Sequence, residues 1–260
     1  MSTMPVLFIG HGSPMNILEK NAYTDALKEL AASLPVPRAI LVVSAHWVTP
    51  GLKVTAAPAP KQIYDFFGFP DELYKVEYAP PGDPALASRV AGLLAAAGFS
   101  CKEDPTRGID HAAWAVLVHM YPEASVPVLE LSLDYKAYPD SLFSLGASLA
   151  VLREEGVLLM GSGNIVHNLY KIEYAADAKP YPWALKFNEL AKAAVAADDR
   201  ERLAAFALPT DESHEAVPTP EHYLPFLAAL GAMAGDEKAR VFHESFQNAS
   251  IAMTGFISSR

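Results

Sequence analysis

The residues able to do chemistry in this chain are its histidines. There are eight of them and a single cysteine, Cys101. One cysteine closes no internal disulfide and builds no thiolate cluster, so a transition metal would have to be held by imidazole and carboxylate groups. Four histidines stand where a fold can bring them together. His11 follows the apolar run VLFIG, His46 follows AILVVSA, His167 comes shortly after LLMGSGN, and His222 lies in Thr219-Pro220-Glu221-His222. Neutral imidazoles on rigid elements suit Fe(II) and Zn(II). Neither HExxH nor HxH occurs, so the site would be assembled from distant segments. Each of these histidines taken alone reads more readily as a core or turn residue satisfied by backbone. Their shared position at strand exits, where open α/β sheets collect their sites, favours the chemical reading.

The other histidines divide. His111 follows Asp110 at the head of an apolar helix and reads either as a helix-start residue or as a proton donor or substrate hydrogen-bonder. His119 reads as core or surface, His214 as solvated and His243 as structural. Gly161-Ser162-Gly163 lacks the pattern of a phosphate loop or a dinucleotide fingerprint. Gly12-Ser13-Pro14 is not a nucleophile elbow, because GxSxG is absent.

The elements that must position these residues follow from periodicity. Continuous apolar runs predict strands at Met4–Ile9, Arg38–Ala45, Val126–Leu133 and Val157–Met160, with a further strand at Leu52–Ala57. Helical spacing and stop signals predict helices over Tyr23–Leu34, Pro84–Ala97, Asp110–Met120, Pro139–Glu155, Trp183–Ala196, Asp199–Phe206 and Pro225–Ala234. Arg240–His243 and Ala249–Ile257 read as closing strands. Lys61–Gly82 is a loop rich in aromatics and proline. Continuous apolar strands between helices indicate a sheet covered on both faces, hence one three-layer α/β/α domain over residues 1–260 with a mostly parallel or mixed central sheet.

Composition narrows the function classes. The 260 residues carry 30 Asp and Glu against 20 Lys and Arg, a formal charge of −10 with histidine neutral. That balance argues against nucleic acid, which demands a basic face, and against a polybasic membrane contact. The N-terminus has no basic region ahead of its short apolar run, and no apolar stretch reaches the roughly 18 residues of a membrane span. With the low cysteine content, these features predict a cytoplasmic protein.

Six short motifs in register then resemble a known family. They are His11-Gly12-Ser13-Pro14, Ser44-Ala45-His46-Trp47, the run Ile63 to Pro70 (IYDFFGFP), Asp110-His111-Ala112-Ala113-Trp114, Gly161-Ser162-Gly163 with His167-Asn168-Leu169, and Pro218-Thr219-Pro220-Glu221-His222. Together they resemble the DOPA-dioxygenase branch of the class III extradiol aromatic ring-opening dioxygenases, from about residue 5 to the C-terminus. The resemblance implies a mononuclear non-heme metal at a strand-end cleft, Fe(II) in the active enzyme with Zn(II) able to occupy purified protein. It implies O₂-dependent cleavage of a catechol, such as 3,4-dihydroxyphenylalanine, next to its two hydroxyls. His11 and His46 match the family's two histidine ligands. The third ligand falls to His222, with Glu221 second. His167 matches the acid/base histidine and also offers itself as a metal ligand when no substrate is bound. His111 is expected to hydrogen-bond the substrate or reacting oxygen, and Tyr64, Asp65 and Phe69 to line the catechol pocket. Two other readings use the same residues: a zinc hydrolase or amidase, and a non-enzymatic binding protein that keeps the metal cleft.

Overall fold

The computed structural model describes residues 3–175 and 177–259. Its strands are β1 (Val6–Gly10), β2 (Ala39–Thr49), β3 (Leu52–Thr55), β4 (Cys101–Asp104), β5 (Val128–Asp134), β6 (Val157–Gly163), β7 (Lys238–His243), β8 (Phe246–Gln247), β9 (Ile251–Ala252) and β10 (Gly255–Ser259). The helices are α1 (Ala22–Ser33), α2 (Pro84–Ala96), α3 (His111–Met120), α4 (Ser141–Leu149), α5 (Pro182–Ala196), α6 (Arg200–Ala205) and α7 (Leu224–Gly231). Eight strands form one sheet in the order β4-β3-β5-β2-β6-β1-β10-β7, and β8 pairs with β9. The strands β5, β2, β6 and β1 run parallel, whereas β10 and β7 join antiparallel. The sheet is therefore mixed, as an α/β/α layering allows.

Strand alternation explains the layers. Side chains along a strand point to opposite faces in turn. Val6, Phe8, Leu41, Val43, Val157 and Leu159 face a core shared with α2, α4, α5 and α7. Leu7, Ile9, Ile40, Val42, Leu158 and Met160 face a second core with α1 and α3. Both faces are buried, which is why these strands read as unbroken apolar runs.

Several sequence-based boundaries shift. β2 runs through His46 to Thr49 instead of stopping before it. Its pairing with β5 slips between Val43 and Val48, so Ser44–Trp47 bulges out of the ladder. Such a bulge re-aims side chains, and here it releases His46 toward the rim. The edge strand β4 (CKED) was missed because its residues are half-buried to exposed and show no apolar alternation. The predicted helix at Pro139 begins at Ser141 and ends in a 3-10 turn, Ala150–Arg153. Ala249–Ile257 divides into β9 and β10. Among the described residues, no helix is long and apolar enough to cross a membrane.

Candidate metal centre

The carboxyl ends of three neighbouring parallel strands deliver the first residues of the site. β6 lies between β2 and β1, with Ser44 opposite Ser162 and Gly10 opposite Gly163. His11 follows β1 directly, and its N–H donates to the Gly163 carbonyl at 3.1 Å. The turn that follows needs glycine. Gly12 has φ +63°, and a Cβ there would collide with Met253 and Gln247.

His222 reaches the same place from the loop before α7. Its carbonyl accepts the Asn164 N–H at 2.9 Å, lying against the end of β6. A Cβ on Gly163 would overlap that carbonyl oxygen. The glycine is thus what lets the His222 loop close on the sheet. Pro225 sits in the first turn of α7, as its fixed φ favours.

His11, His46 and His222 form a group that can hold a metal ion, their ligating atoms within 4.8 Å of one another. The orientation of each ring has its own cause. The Ser162 hydroxyl donates to the Ala112 carbonyl at 2.6 Å, and its oxygen lies 3.1 Å from His11 Nδ1. A hydroxyl has one proton to give, so the serine accepts from His11 Nδ1–H and leaves Nε2 with a lone pair. His46 Nδ1 lies 3.0 Å from the Asp65 carboxylate, which likewise favours a proton on Nδ1 and a bare Nε2. The two Nε2 atoms face each other at 3.2 Å. His222 Nδ1 lies 3.4 Å from Glu221, and its Nε2 is buried with no hydrogen-bond partner.

That arrangement fits a cation. Two nitrogens each 2.0–2.1 Å from one metal lie about 2.9–3.4 Å apart at octahedral to tetrahedral angles. Opposed lone pairs and an orphaned buried nitrogen are otherwise unfavourable, and an ion resolves both. Burial, followed by the neighbouring imidazoles, holds His11 and His222 well below the ordinary histidine range, so both are neutral and able to ligate at neutral pH.

His167 stands outside this group. Its backbone N–H donates to the Ala216 carbonyl, and it forms a bridge with Ile251. Its ring stacks on His222 with centroids 3.5 Å apart and planes within 8°. The group that can hold an ion comprises His11, His46 and His222, with the His167 ring stacked against its edge. Burial, then His222, lowers its basicity well below the usual value.

Glu221 accepts a hydrogen bond from the Thr219 hydroxyl at 2.7 Å and remains beside, not within, the metal-holding group. His111 heads α3, whose Asp110 cap accepts the Ala112 N–H. Its ring centroid is 4.1 Å from that of His46 and 5.5 Å from that of His11. Its basicity is lowered by burial, with the Asp65 contact acting in the opposite direction.

The expected pocket residues have partners of their own in the structure. Asp65 accepts the His111 backbone N–H with one oxygen, while the other lies 3.0 Å from His46 Nδ1 and 2.9 Å from His111 Nδ1. One carboxylate oxygen thus sits between two imidazoles. Burial opposes its ionisation, but the two histidine contacts prevail and hold its carboxyl far below the ordinary range. Tyr64 donates its hydroxyl to the Val76 carbonyl and packs with Phe66, Tyr74 and Trp114. Phe69 packs on Phe66. The aromatic that touches the histidines is Phe66, edge-on to His111 at 5.4 Å. Loop aromatics pack on one another before they face a ligand, which the sequence does not separate. His119, His243 and His214 lie apart, bonded to the Asn16 carbonyl, Ser245 and the Thr210 carbonyl.

Residues 4–257 match the family described as the catalytic LigB subunit of aromatic ring-opening dioxygenase. The chain is 45% identical over 253 residues to 4,5-DOPA dioxygenase extradiol of Escherichia coli (strain K12), covering 96% of this chain and 93% of that protein. It is 37% identical over 244 residues to 4,5-DOPA dioxygenase extradiol of Beta vulgaris, covering 92% and 90%. The crystal structure of an uncharacterized Escherichia coli K12 protein superposes with a TM-score of 0.85 at 41% identity, over 98% of this chain and 99% of the other.

Proposed function

Because this chain belongs to the LigB family of aromatic ring-opening dioxygenases and is an extradiol dioxygenase, we propose that it opens the ring of a catechol such as 3,4-dihydroxyphenylalanine with O₂, as one catalytic domain carrying one non-heme metal ion. The names of its Escherichia coli and Beta vulgaris relatives support the substrate class. The observation that carries the metal reading is the convergence of His11, His46 and His222, with two Nε2 atoms 3.2 Å apart and the third unpartnered. Fe(II) is the metal that suits the reaction, with Zn(II) an inactive occupant. When bound, the iron supplies open positions for catechol and O₂ and a path for electrons from ring to oxygen.

The chain's own residues supply positioning and proton movement. His11, His46 and His222 hold the ion on two strand ends and one loop. Asp65 fixes the rings of His46 and His111 together. His167, neutral and not needed as a ligand, takes a hydroxyl proton from the catechol and returns it during ring opening. His111, held through Nδ1 by Asp65, presents Nε2 to the substrate or the reacting oxygen. Phe66 supplies the apolar wall beside it. The cytoplasm is the compartment we propose for this chemistry.

The test is reconstitution with Fe(II) under argon, then addition of 3,4-dihydroxyphenylalanine with and without O₂. The expected result is a yellow ring-opened product with one O₂ consumed per catechol, and no reaction under argon. Turnover that persists without O₂, or a zinc form that matches the iron form, would overturn the reading. His167→Ala is expected to retain iron and lose turnover, while loss of all iron at equal folding would make His167 a ligand.

A further inference from the structure

Two serines beneath the metal centre have no part in the steps above, yet they occupy one rung of the sheet. Ser44 on β2 and Ser162 on β6 are register partners in adjacent parallel strands, both fully buried. Register partners present their side chains to the same face, and here both reach the first turn of α3. Ser162 donates to the Ala112 carbonyl at 2.6 Å. Ser44 donates to the Asp110 carboxylate, 2.9 and 3.0 Å from its two oxygens, and accepts the His46 backbone N–H at 3.1 Å. Asp110 in turn caps α3 through the Ala112 N–H. The helix end that carries His111 is therefore joined by one hydroxyl each to β2, which carries His46, and to β6, which lies beside β1 and contacts His11.

Ser162 does more than join. With its proton committed to the Ala112 carbonyl, its oxygen can meet His11 Nδ1 only as an acceptor. We propose that Ser162 is a positioning residue that fixes His11 as the Nδ1–H tautomer, leaving Nε2 for the metal, and that Ser44 holds the neighbouring ligand strand to the same helix end through Asp110. The proposal rests on the reading that His11 is a metal ligand. Without the serine oxygen, His11 Nδ1–H would be buried and unpaired. The ring would then favour the Nε2–H tautomer, which donates to His46 Nε2 across the 3.2 Å gap and has no lone pair for a metal. Every move of that proton away from Nδ1 subtracts from the population able to bind.

The metal-free protein is the discriminating state, because a bound metal would itself impose the tautomer. Nitrogen-15 NMR of metal-free wild-type protein is expected to show His11 protonated on Nδ1. Finding the proton on Nε2 would overturn the proposal without any variant being made. In Ser162→Ala the His11 signals should move toward the Nε2–H tautomer, and zinc affinity should fall by roughly 10–100-fold, as for loss of a hydrogen-bond partner behind a ligating histidine. Ser44→Ala should weaken zinc binding while leaving the His11 tautomer as in wild type. A folded Ser162→Ala protein with unchanged tautomer and zinc affinity would refute the assignment. If His11→Ala binds zinc as tightly as wild type, the metal reading fails instead, and the wild-type tautomer result still stands or falls by itself.

Discussion

Strands β1, β2 and β6 change character along their length. Their bodies hold residues such as Leu7, Leu41, Val42 and Leu158, each no more than 1% exposed and packed on one or other of the two cores. Their last residues and the turns beyond hold His11, Ser44, His46, Ser162 and Gly163. These are also buried or nearly so, but they are polar, and two of the nitrogens there, Nε2 of His11 and of His46, face each other at 3.2 Å. The bodies lower the free energy of the fold, whereas the ends raise it in return for a preorganised set of lone pairs. One strand thus carries two kinds of residue whose substitution should have opposite signatures.

The largest effect should come at the ends. His11→Ala or His46→Ala should cut turnover and metal affinity by more than about a hundredfold, since loss of a supporting partner alone costs 10–100-fold. The metal-free His11→Ala variant should melt no lower than metal-free wild type, because an imidazole facing another imidazole is removed while the His46–Asp65 contact is kept. A metal-free melting temperature well below wild type would erase the contrast between ends and bodies.

Leu41→Ala, a few residues upstream of His46, should do the reverse. It should lower stability by about 2–5 kcal/mol in denaturant titration, while metal bound per folded molecule stays the same. Selective loss of metal at preserved stability would show that the two parts are not separable.

Asp65→Asn probes the boundary between them. The side chain keeps its shape but loses the charge facing His46 and His111. Zinc affinity should fall about 10–100-fold, with turnover falling alongside because both rings lose their anchor. Isothermal titration of the metal-free protein reads the first effect, and steady-state oxygen uptake the second.

The smallest effect concerns Glu130 on β5, fully buried below the same helix end. One of its oxygens accepts the Asp110 N–H at 2.7 Å, and burial, then the Asp110 charge, raises its carboxyl well above the ordinary glutamate value of 4.5. Above that value the unfolded chain releases a proton that the folded chain keeps, so this group's contribution to stability declines with rising pH until the folded carboxyl itself ionises. Glu130→Gln mimics the protonated form and removes the decline. Its melting temperature relative to wild type should therefore rise between pH 5 and pH 8, by about 2–4 °C for each kcal/mol recovered. A constant or falling difference would mean that Glu130 is ionised in the folded protein.

The primary structure determined a good deal by itself. Apolar runs with buried faces on both sides specify β1, β2, β5 and β6, and proline, aspartate and glycine punctuation specifies where α2, α3 and α7 begin or end, because these signals act over a few neighbouring residues. They also set His11, His46 and His222 at or beyond element ends. The tertiary structure alone showed how close His11, His46 and His222 lie, that His167 stacks on His222, and that Asp65 sits between two imidazoles while Phe66 packs edge-on to one of them. It alone placed Ser44 opposite Ser162. The reason is distance along the chain: His11 and His222 are brought together only when β1, β6 and the loop before α7 pack. Ring orientation and proton placement then depend on angles and separations of a few tenths of an ångström, which residue types and spacing do not encode.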